Sequence, residues 1–202
     1  MVYMSESTRN LHASPAIVSR EDREKLLGQS GSVLWFTGMS GSGKSTLARQ
    51  VEAELIGCGR LAYVLDGDIV RRGLCSDLGF SEEDRSENIR RVSELAAILA
   101  DVGIIVLSAF ISPFRSDRAQ ARDRIGSARF IEIFVDAPLE VCESRDPKGL
   151  YRKARSGEIK SFTGIDSSFE PPEAAGLHLK TDRQSIAECV AEVLGALKNY
   201  SV

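Results

Sequence analysis

Short apolar runs alternate with longer stretches of helical periodicity along most of the chain. The apolar runs predict five β-strands, at residues 33–37, 62–66, 104–108, 130–135 and 177–180. The remaining periodic stretches predict helices at residues 44–56, 87–101, 115–125, 139–145 and 185–198. Strands that alternate with helices are typical of a mostly parallel sheet with helices on both faces. The pattern therefore predicts a three-layer α/β fold.

One long segment interrupts this alternation. Residues 146–172 show no strand pattern and are rich in Gly, Lys, Arg and Ser. A loop of that length inside a compact domain is usually a lid or a disordered segment, and we expect a mobile lid here. Residues 31–202 then form a single domain, and residues 1–30 form an N-terminal extension that packs loosely on it.

Composition and charge argue against several classes of protein. The chain has 202 residues and is 43% hydrophobic, which suits one globular core. A formal net charge of −3 argues against a nucleic-acid-binding surface. No run approaches the ~20 apolar residues of a membrane span, and residues 1–12 lack the apolar stretch of a secretory signal. Four scattered cysteines predict free thiols in a reducing cytoplasm rather than a zinc or disulfide framework: Cys58, Cys75, Cys142 and Cys189.

The strongest local motif follows the first predicted strand. Residues 38–45 fit the pattern G-x-x-x-x-G-K-[ST] of the phosphate-binding loop (P-loop), whose glycines let successive backbone amides face the phosphates of a nucleotide. Lys44 brings a cation to the β- and γ-phosphates, and Ser45 offers its hydroxyl to Mg²⁺. The residues predicted to bind the nucleotide here are Gly38, Met39, Ser40, Gly41, Ser42, Gly43, Lys44, Ser45 and Thr46. The motif predicts a P-loop NTPase fold that binds a nucleoside triphosphate such as ATP at a helix N-terminus.

Two carboxylates follow the second predicted strand, on the edge of the sheet where the P-loop also lies. Asp66 and Asp68 can hold Mg²⁺ through water or take a proton from an acceptor hydroxyl. An acidic turn around Gly67 is the alternative interpretation. We choose Asp68 as the base or metal partner and Asp66 as its support. The chain has no Asn-Lys-x-Asp motif, which argues against a GTPase.

A polar group suited to an anionic acceptor comes next. Arg71, Arg85, Asn88 and, further on, Arg115 follow the acidic pair. Arginine pairs its guanidinium with phosphate or sulfate oxygens through two hydrogen bonds, and Phe80 could stack on a purine. Each arginine alone is equally consistent with a solvated surface. Their concentration after the Asp66–Asp68 turn favours an acceptor site.

Several blocks of sequence together resemble one family. These are residues 66–74 (DGDIVRRGL), 77–85 (DLGFSEEDR), 87–91 (ENIRR), 110–115 (FISPFR), 145–151 (RDPKGLY) and 162–166 (FTGID). In this order, and with the P-loop, they resemble the adenylylsulfate kinases, and residues 17–23 (IVSREDR) resemble the family's N-terminal segment. The likeness covers nearly the whole chain. Ile69 and Cys75 depart from polar residues common in the family, but neither is a predicted site residue.

The resemblance implies an activity in sulfate assimilation. The reaction is MgATP-dependent transfer of the γ-phosphoryl group to the 3′-hydroxyl of adenosine 5′-phosphosulfate (APS), giving 3′-phosphoadenosine 5′-phosphosulfate and ADP. It also implies a homodimer. The acceptor site implied for this chain comprises Asp66, Arg71, Phe80, Arg85, Asn88, Ile111, Ser112, Pro113, Lys148 and Phe162.

Within that set, the resemblance gives three residues particular roles. Lys148 and Phe162 belong to the lid that closes over both substrates, with Phe162 facing Phe80 across the acceptor's adenine. The serine that matches Ser112 is treated in the family as a phosphorylated intermediate. A hydrogen bond from Ser112 to the acceptor fits a direct in-line transfer better, and both roles stay open here. We further expect Arg145 to lie over the adenine of ATP.

Three alternatives stay open at this point. The nearest is another small-molecule kinase of the same fold, with a nucleoside monophosphate or a sugar acid as acceptor. A nucleotide-sensing module without transferase activity is disfavoured, because it needs no acceptor site. A third is a kinase domain that works beside a sulfurylase, although no sulfurylase domain is encoded here. Trp35 fits equally a core or an interface position.

Overall fold

The computed structural model describes residues 15–200, and its centre is a sheet of five strands. The strands are β1 (Ser32–Thr37), β2 (Ala62–Asp66), β3 (Ile105–Ala109), β4 (Phe130–Asp136) and β5 (Leu177–Lys180). Their order in the sheet is β2-β3-β1-β4-β5, and every neighbouring pair is parallel. The predicted α/β fold is confirmed, and each predicted strand lies within one residue of its observed bounds.

Eight α-helices connect and flank these strands within the described residues. They are α1 (Arg20–Leu27), α2 (Lys44–Gly57), α3 (Gly67–Arg71), α4 (Glu82–Val102), α5 (Arg115–Ile125), α6 (Leu139–Arg145), α7 (Leu150–Arg155) and α8 (Ile186–Tyr200). A 3-10 turn, Ser127–Arg129, precedes β4. The helices α1, α3 and α7 are short and were not predicted. Helix α4 begins at Glu82, five residues before the predicted start, because the Ser81 hydroxyl accepts a hydrogen bond from the backbone amide of Asp84 and caps the helix.

Each face of the sheet is buried under two long helices. Helices α2 and α8 cover one face, where Phe36, Val51 and Val193 lie in one core cluster. Helices α4 and α5 cover the other face, where Trp35 and Val92 pack together. The Trp35 side chain is fully buried between the rings of Phe110 and Phe130. Trp35 is therefore a core residue, and the interface interpretation is wrong.

The described part of the N-terminal extension contacts the core. Helix α1 lies against the end of α4, where the Arg23 guanidinium pairs with Asp101 at 2.8 Å. The buried Gln29 amide then donates to the carbonyls of Gly103 and Leu61, at 2.7 and 2.9 Å. The expectation of an extension without a secretory signal also covers residues 1–14, which lie outside the described residues.

Parallel strands bring their carboxyl ends to one edge of the sheet. The P-loop follows β1, Asp66 ends β2, and residues 110–113 follow β3. The fold thus gathers the candidate residues on a single rim. Within residues 15–200, no helix has the length and apolar character needed to cross a membrane.

Candidate active site

A cleft of about 1140 Å³ lies along the carboxyl edge of the sheet. It is bordered by the P-loop, the Asp66–Asp68 turn, the start of α4, the loop after β3 and the lid. The predicted site residues that line it are Ser40, Gly41, Ser42, Gly43, Lys44, Ser45, Thr46, Asp66, Asp68, Arg71, Phe80, Arg85, Asn88, Ile111, Ser112, Pro113, Arg145, Lys148 and Phe162. The cleft therefore joins the nucleotide-binding and acceptor-binding sets that were predicted separately.

The P-loop lies against β4 and α6, and at Gly38 and Gly41 there is room for glycine only. A Cβ atom on Gly38 would lie 2.2 Å from the carbonyl oxygen of Val135, and its φ of 148° disfavours other residues. A Cβ atom on Gly41 would lie 2.6 Å from the carbonyl oxygen of Cys142. Gly43, at the N-cap of α2, has a φ of 104°. Gly38 and Gly41 are thus required by close backbone approach, whereas Gly43 is favoured by its positive φ.

Lys44 is buried beneath this loop. Its ammonium group donates to the carbonyls of Gly38 and Met39, at 2.8 and 2.7 Å. Burial lowers the pKa of Lys44 to about 8. Gly38 and Met39 do not line the cleft. Their carbonyls hold the lysine, and their contact with the nucleotide stays a prediction.

The two carboxylates of the Asp66–Asp68 turn have different surroundings. Asp66 is buried, accepts a hydrogen bond from the backbone amide of Asp68 at 3.0 Å, and lies 3.6 Å from the Arg49 guanidinium. Asp68 has a side chain 63% exposed, and it pairs with Lys148 of the lid at 2.5 Å. Asp66 thus shapes the turn as the N-cap of α3, while Asp68 keeps a largely exposed carboxylate at the cleft.

One wall of the cleft carries the predicted acceptor residues. The Arg71 guanidinium lies 4.4 Å from the centre of the Phe80 ring and donates to the carbonyl of Gly79 at 2.7 Å. Phe80 is 63% exposed, so its ring keeps surface for a further stacking partner. Asn88 is buried, and its side-chain oxygen makes no hydrogen bond with the described residues. A buried, unsatisfied amide oxygen that faces a cleft is a polar group suited to a ligand.

Two arginines of the predicted polar group contact the lid, and of these Arg85 also lines the cleft. Arg85 donates to the hydroxyl of Thr163, to the backbone carbonyl of Ser161 and, at 3.1 Å, to the carbonyl of Phe80. Arg115 does not line the cleft and binds the segment that leaves the lid, with its side chain 2.8 Å from the carbonyl of Pro171. The structure therefore assigns Arg115 to the lid exit, and it gives Arg85 a role as a lid contact.

The lid carries more regular structure than predicted. Helix α7 begins after a turn in which the Asp146 carboxylate accepts hydrogen bonds from the backbone amides of Tyr151 and Arg152, both at 3.1 Å. Phe162 packs under this helix, with its ring centre 5.0 Å from that of Tyr151. A six-residue helix has too few turns for its periodicity to be recognised in the sequence.

Ser112 lies in a constrained position at the base of the cleft. Its φ is 40°, a region that serine rarely adopts. Its hydroxyl oxygen accepts a hydrogen bond from the Trp35 indole at 3.1 Å. Its backbone carbonyl accepts from the buried Arg118 guanidinium at 2.7 Å, and Arg118 also pairs with the buried Glu132. These contacts hold the loop after β3 in place.

The sequence did not identify Thr181, Gln184 and Ile186, which also line the cleft. Arg145 reaches this side, where it donates to the Thr181 carbonyl at 2.7 Å and to the Thr181 hydroxyl at 3.2 Å. Thr181 follows β5 directly. Since β5 belongs to the same parallel sheet, the rule that ligands gather at the carboxyl ends of strands could have found it.

Comparisons with known proteins agree on one family. A family model described as adenylylsulphate kinase matches residues 30–180. The chain is 54% identical over 199 residues to an adenylyl-sulfate kinase of Enterobacter sp. (strain 638), with 98% of each chain covered. It is 58% identical over 185 residues to that of Citrobacter koseri, with 92% of each covered. It is also similar to the Mycobacterium tuberculosis APS kinase CysC solved in complex with AMPPNP and APS, with a TM-score of 0.81 and 52% identity over 84% of this chain and 99% of that one.

The contacts of Arg85 predict that it restrains the lid. In Arg85→Lys, an ammonium group cannot replace the planar fork that reaches both Thr163 and Ser161. We expect tryptic cleavage within the lid, after Arg155 or Lys160, to become several-fold faster than in the unaltered protein, as measured by mass spectrometry over a time course.

Arg124→Lys is the matched control, because Arg124 pairs with Glu94 on the surface. Its cleavage rate should stay at the level of the unaltered protein. Equal cleavage rates in the Arg85 variant and the unaltered protein would show that Arg85 does not hold the lid.

Proposed function

The chain belongs to the adenylylsulphate kinase family and is an ATP-dependent phosphotransferase, and from that premise we propose which of its residues carry out the transfer. The reaction moves the γ-phosphoryl group of ATP to the 3′-hydroxyl of APS. The observation that carries the proposal is that the P-loop and the acceptor wall share one cleft. Phosphoryl transfer depends mainly on in-line positioning and charge neutralisation, and a shared cleft permits both.

The P-loop holds the triphosphate in this proposal. Backbone amides of the loop contact the phosphates, and Lys44 screens the charge that develops on the transferred group. Arg145 lies across the opening beside Thr181, where its planar guanidinium can cover the adenine. The burial of Lys44 supports the assignment, because a buried cation gains most from a bound anion.

The oxygen atoms at the cleft fit Mg²⁺. The Ser45 hydroxyl and the Asp68 carboxylate both line it. Mg²⁺ in phosphoryl-transfer sites usually takes one or two protein oxygens and fills its other positions with phosphate oxygens and water. We assign Ser45 as the direct ligand and Asp68 as a partner through water. When bound, Mg²⁺ neutralises charge on the β- and γ-phosphates.

The acceptor lies between the aromatic side chains of the wall and the lid. Phe80 and Phe162 provide two faces for the adenine of APS, and Arg71 and Asn88 provide charge and hydrogen bonds. Asp68 orients the 3′-hydroxyl and is placed to accept its proton. The pairing of Lys148 with Asp68 supports this, since it puts a lid cation beside the proposed reacting group.

We propose a hydrogen-bonding role for Ser112 rather than a covalent one. Its oxygen already accepts a hydrogen bond from the Trp35 indole N–H, and its side chain is buried. An accepted hydrogen bond lowers the electron density on the oxygen and weakens it as a nucleophile. The hydroxyl keeps its own proton to donate to the acceptor beside Ile111 and Pro113.

We propose that residues 31–202 form the catalytic domain and that residues 146–172 form its lid. Free thiols at all four cysteines support a reducing, cytoplasmic location. Association with a separate sulfurylase stays a hypothesis for co-sedimentation to test.

We also propose a homodimer. Exposed apolar side chains beside the edge strand β2 support it, since Leu61, Tyr63 and Ile69 border an apolar hollow of about 440 Å³. Analytical ultracentrifugation tests the proposal, and a single species at the chain mass of 22.0 kDa would contradict it.

The choice of acceptor is tested by ADP release with APS, AMP or gluconate at equal concentration. We expect kcat/KM for APS to exceed that for either alternative by at least about a hundredfold, because arginine and asparagine contacts left unpaired by a wrong acceptor are costly. Comparable turnover of AMP or gluconate would favour another small-molecule kinase.

Phe80→Leu should raise KM for APS about tenfold through lost stacking, with KM for ATP within twofold of its original value.

The lowered pKa of Lys44 predicts that nucleotide binding depends on pH. With a pKa of about 8, Lys44 loses its charge in the free protein as the pH rises through that value. A bound triphosphate favours the charged lysine, so the affinity should fall about tenfold between pH 7.5 and 9.5. Calorimetric titration with Mg²⁺ and AMPPNP measures this.

Lys44→Arg is the control for this titration, because its guanidinium stays charged throughout the range. The affinity of that variant should be nearly independent of pH. A flat profile for the unaltered protein, or an equal slope in the Arg variant, would show that Lys44 is not the titrating group.

A further inference from the structure

We propose that Tyr151 is a positioning residue of the P-loop: its hydroxyl holds the carbonyl of Ser40 and thereby points the next backbone amide, that of Gly41, toward the bound phosphates. The inference rests on the proposed nucleotide site but is independent of which acceptor is used. It also connects the lid, where Tyr151 lies in α7, with the loop that binds ATP.

The contact is short and buried. The Tyr151 hydroxyl donates to the Ser40 carbonyl at 2.8 Å, and the tyrosine is 1% exposed. Burial raises the pKa of Tyr151, so the hydroxyl keeps its proton and acts as a donor. Tyr151 itself is held in place, because its backbone amide donates to the Asp146 carboxylate at 3.1 Å.

Peptide geometry converts this contact into an effect on phosphate binding. The described residues contain no cis peptide bond, and in a trans peptide the carbonyl and the following N–H point in opposite directions. Tyr151 does not line the cleft, whereas Gly41 does. A Ser40 carbonyl directed at Tyr151 therefore leaves the Gly41 amide directed to the opposite side.

The peptide between Ser40 and Gly41 needs such a restraint. Gly41 has a φ of 77° and no Cβ atom, so its backbone has access to more conformations than that of any other residue type. Close packing against the Cys142 carbonyl limits where the glycine lies. The hydrogen bond from Tyr151 fixes the rotation of the peptide plane.

The same side chain also contacts the lid aromatic. The Tyr151 ring meets the Phe162 ring edge-on, at 5.0 Å between centres and 77° between planes. Phe162 is held in place in turn, because the Asp166 carboxylate accepts a hydrogen bond from its backbone amide. One residue therefore touches the P-loop through its hydroxyl and the lid through its ring, and the two contacts can be separated by mutation.

Tyr151→Phe separates them, since it removes the hydroxyl and keeps the ring. Titration with Mg²⁺ and AMPPNP, in the absence of any acceptor, should show binding weaker by about three- to tenfold, the usual consequence of losing one net hydrogen bond. In steady-state assays KM for ATP should rise by a similar factor, while KM for APS changes less than twofold.

Ser93→Ala is the matched control. It removes a buried hydroxyl that donates to a backbone carbonyl, that of Arg90, within α4 and away from the cleft. Its affinity for AMPPNP should stay within twofold of the original, whatever its melting temperature.

Three results would overturn the proposal. They are an unchanged AMPPNP affinity in Tyr151→Phe, an equal loss of affinity for both substrates, and a variant that does not fold, which would make the hydroxyl a stability group. Because the titration contains no acceptor, failure of APS as a substrate would count against the proposed function and leave this test intact.

Discussion

The P-loop lies closer to two neighbouring backbones than any side chain would permit. Gly38 meets the carbonyl of Val135 at the end of β4, and Gly41 meets the carbonyl of Cys142 in α6. These two contacts fix the position of the loop relative to the sheet, and the rest of the site is arranged around it. Lys44 reaches back under the loop, and α2 starts directly behind it.

Side chains in and next to the cleft fall into two groups, those satisfied by protein partners and those with an exposed or unsatisfied group. Asp66, Arg118 and Glu132 are buried and satisfied by protein partners, so they hold turns and loops in place. Asp68, Phe80 and Asn88 have an exposed or unsatisfied group at the cleft. A buried charge must be paired within the fold. A group that binds a ligand needs a hydrogen-bonding atom or an exposed surface that no protein partner already occupies. The division follows from that difference.

The lid is joined to the rest of the site by direct hydrogen bonds. Arg85 on α4 contacts Ser161 and Thr163, and Arg118 on α5 donates to the backbone carbonyl of Glu170 at 2.7 Å. Tyr151 extends from the lid to the P-loop. Lid residues thus contact the P-loop as well as helices α4 and α5, and this suits a reaction in which two substrates must align before transfer.

The sequence by itself determined the strands, the parallel sheet, the P-loop and the candidate residues on its rim, because these depend on periodicity and on motifs that are local in the chain. It also carried the resemblance to the family. Only the tertiary structure decided that Arg115 and Arg85 contact the lid and that Trp35 is buried against Ser112. Each of these contacts joins residues from separate parts of the chain, and an arginine's partner depends on which elements the fold brings within reach of its long side chain. Local pattern contains no information on that distance.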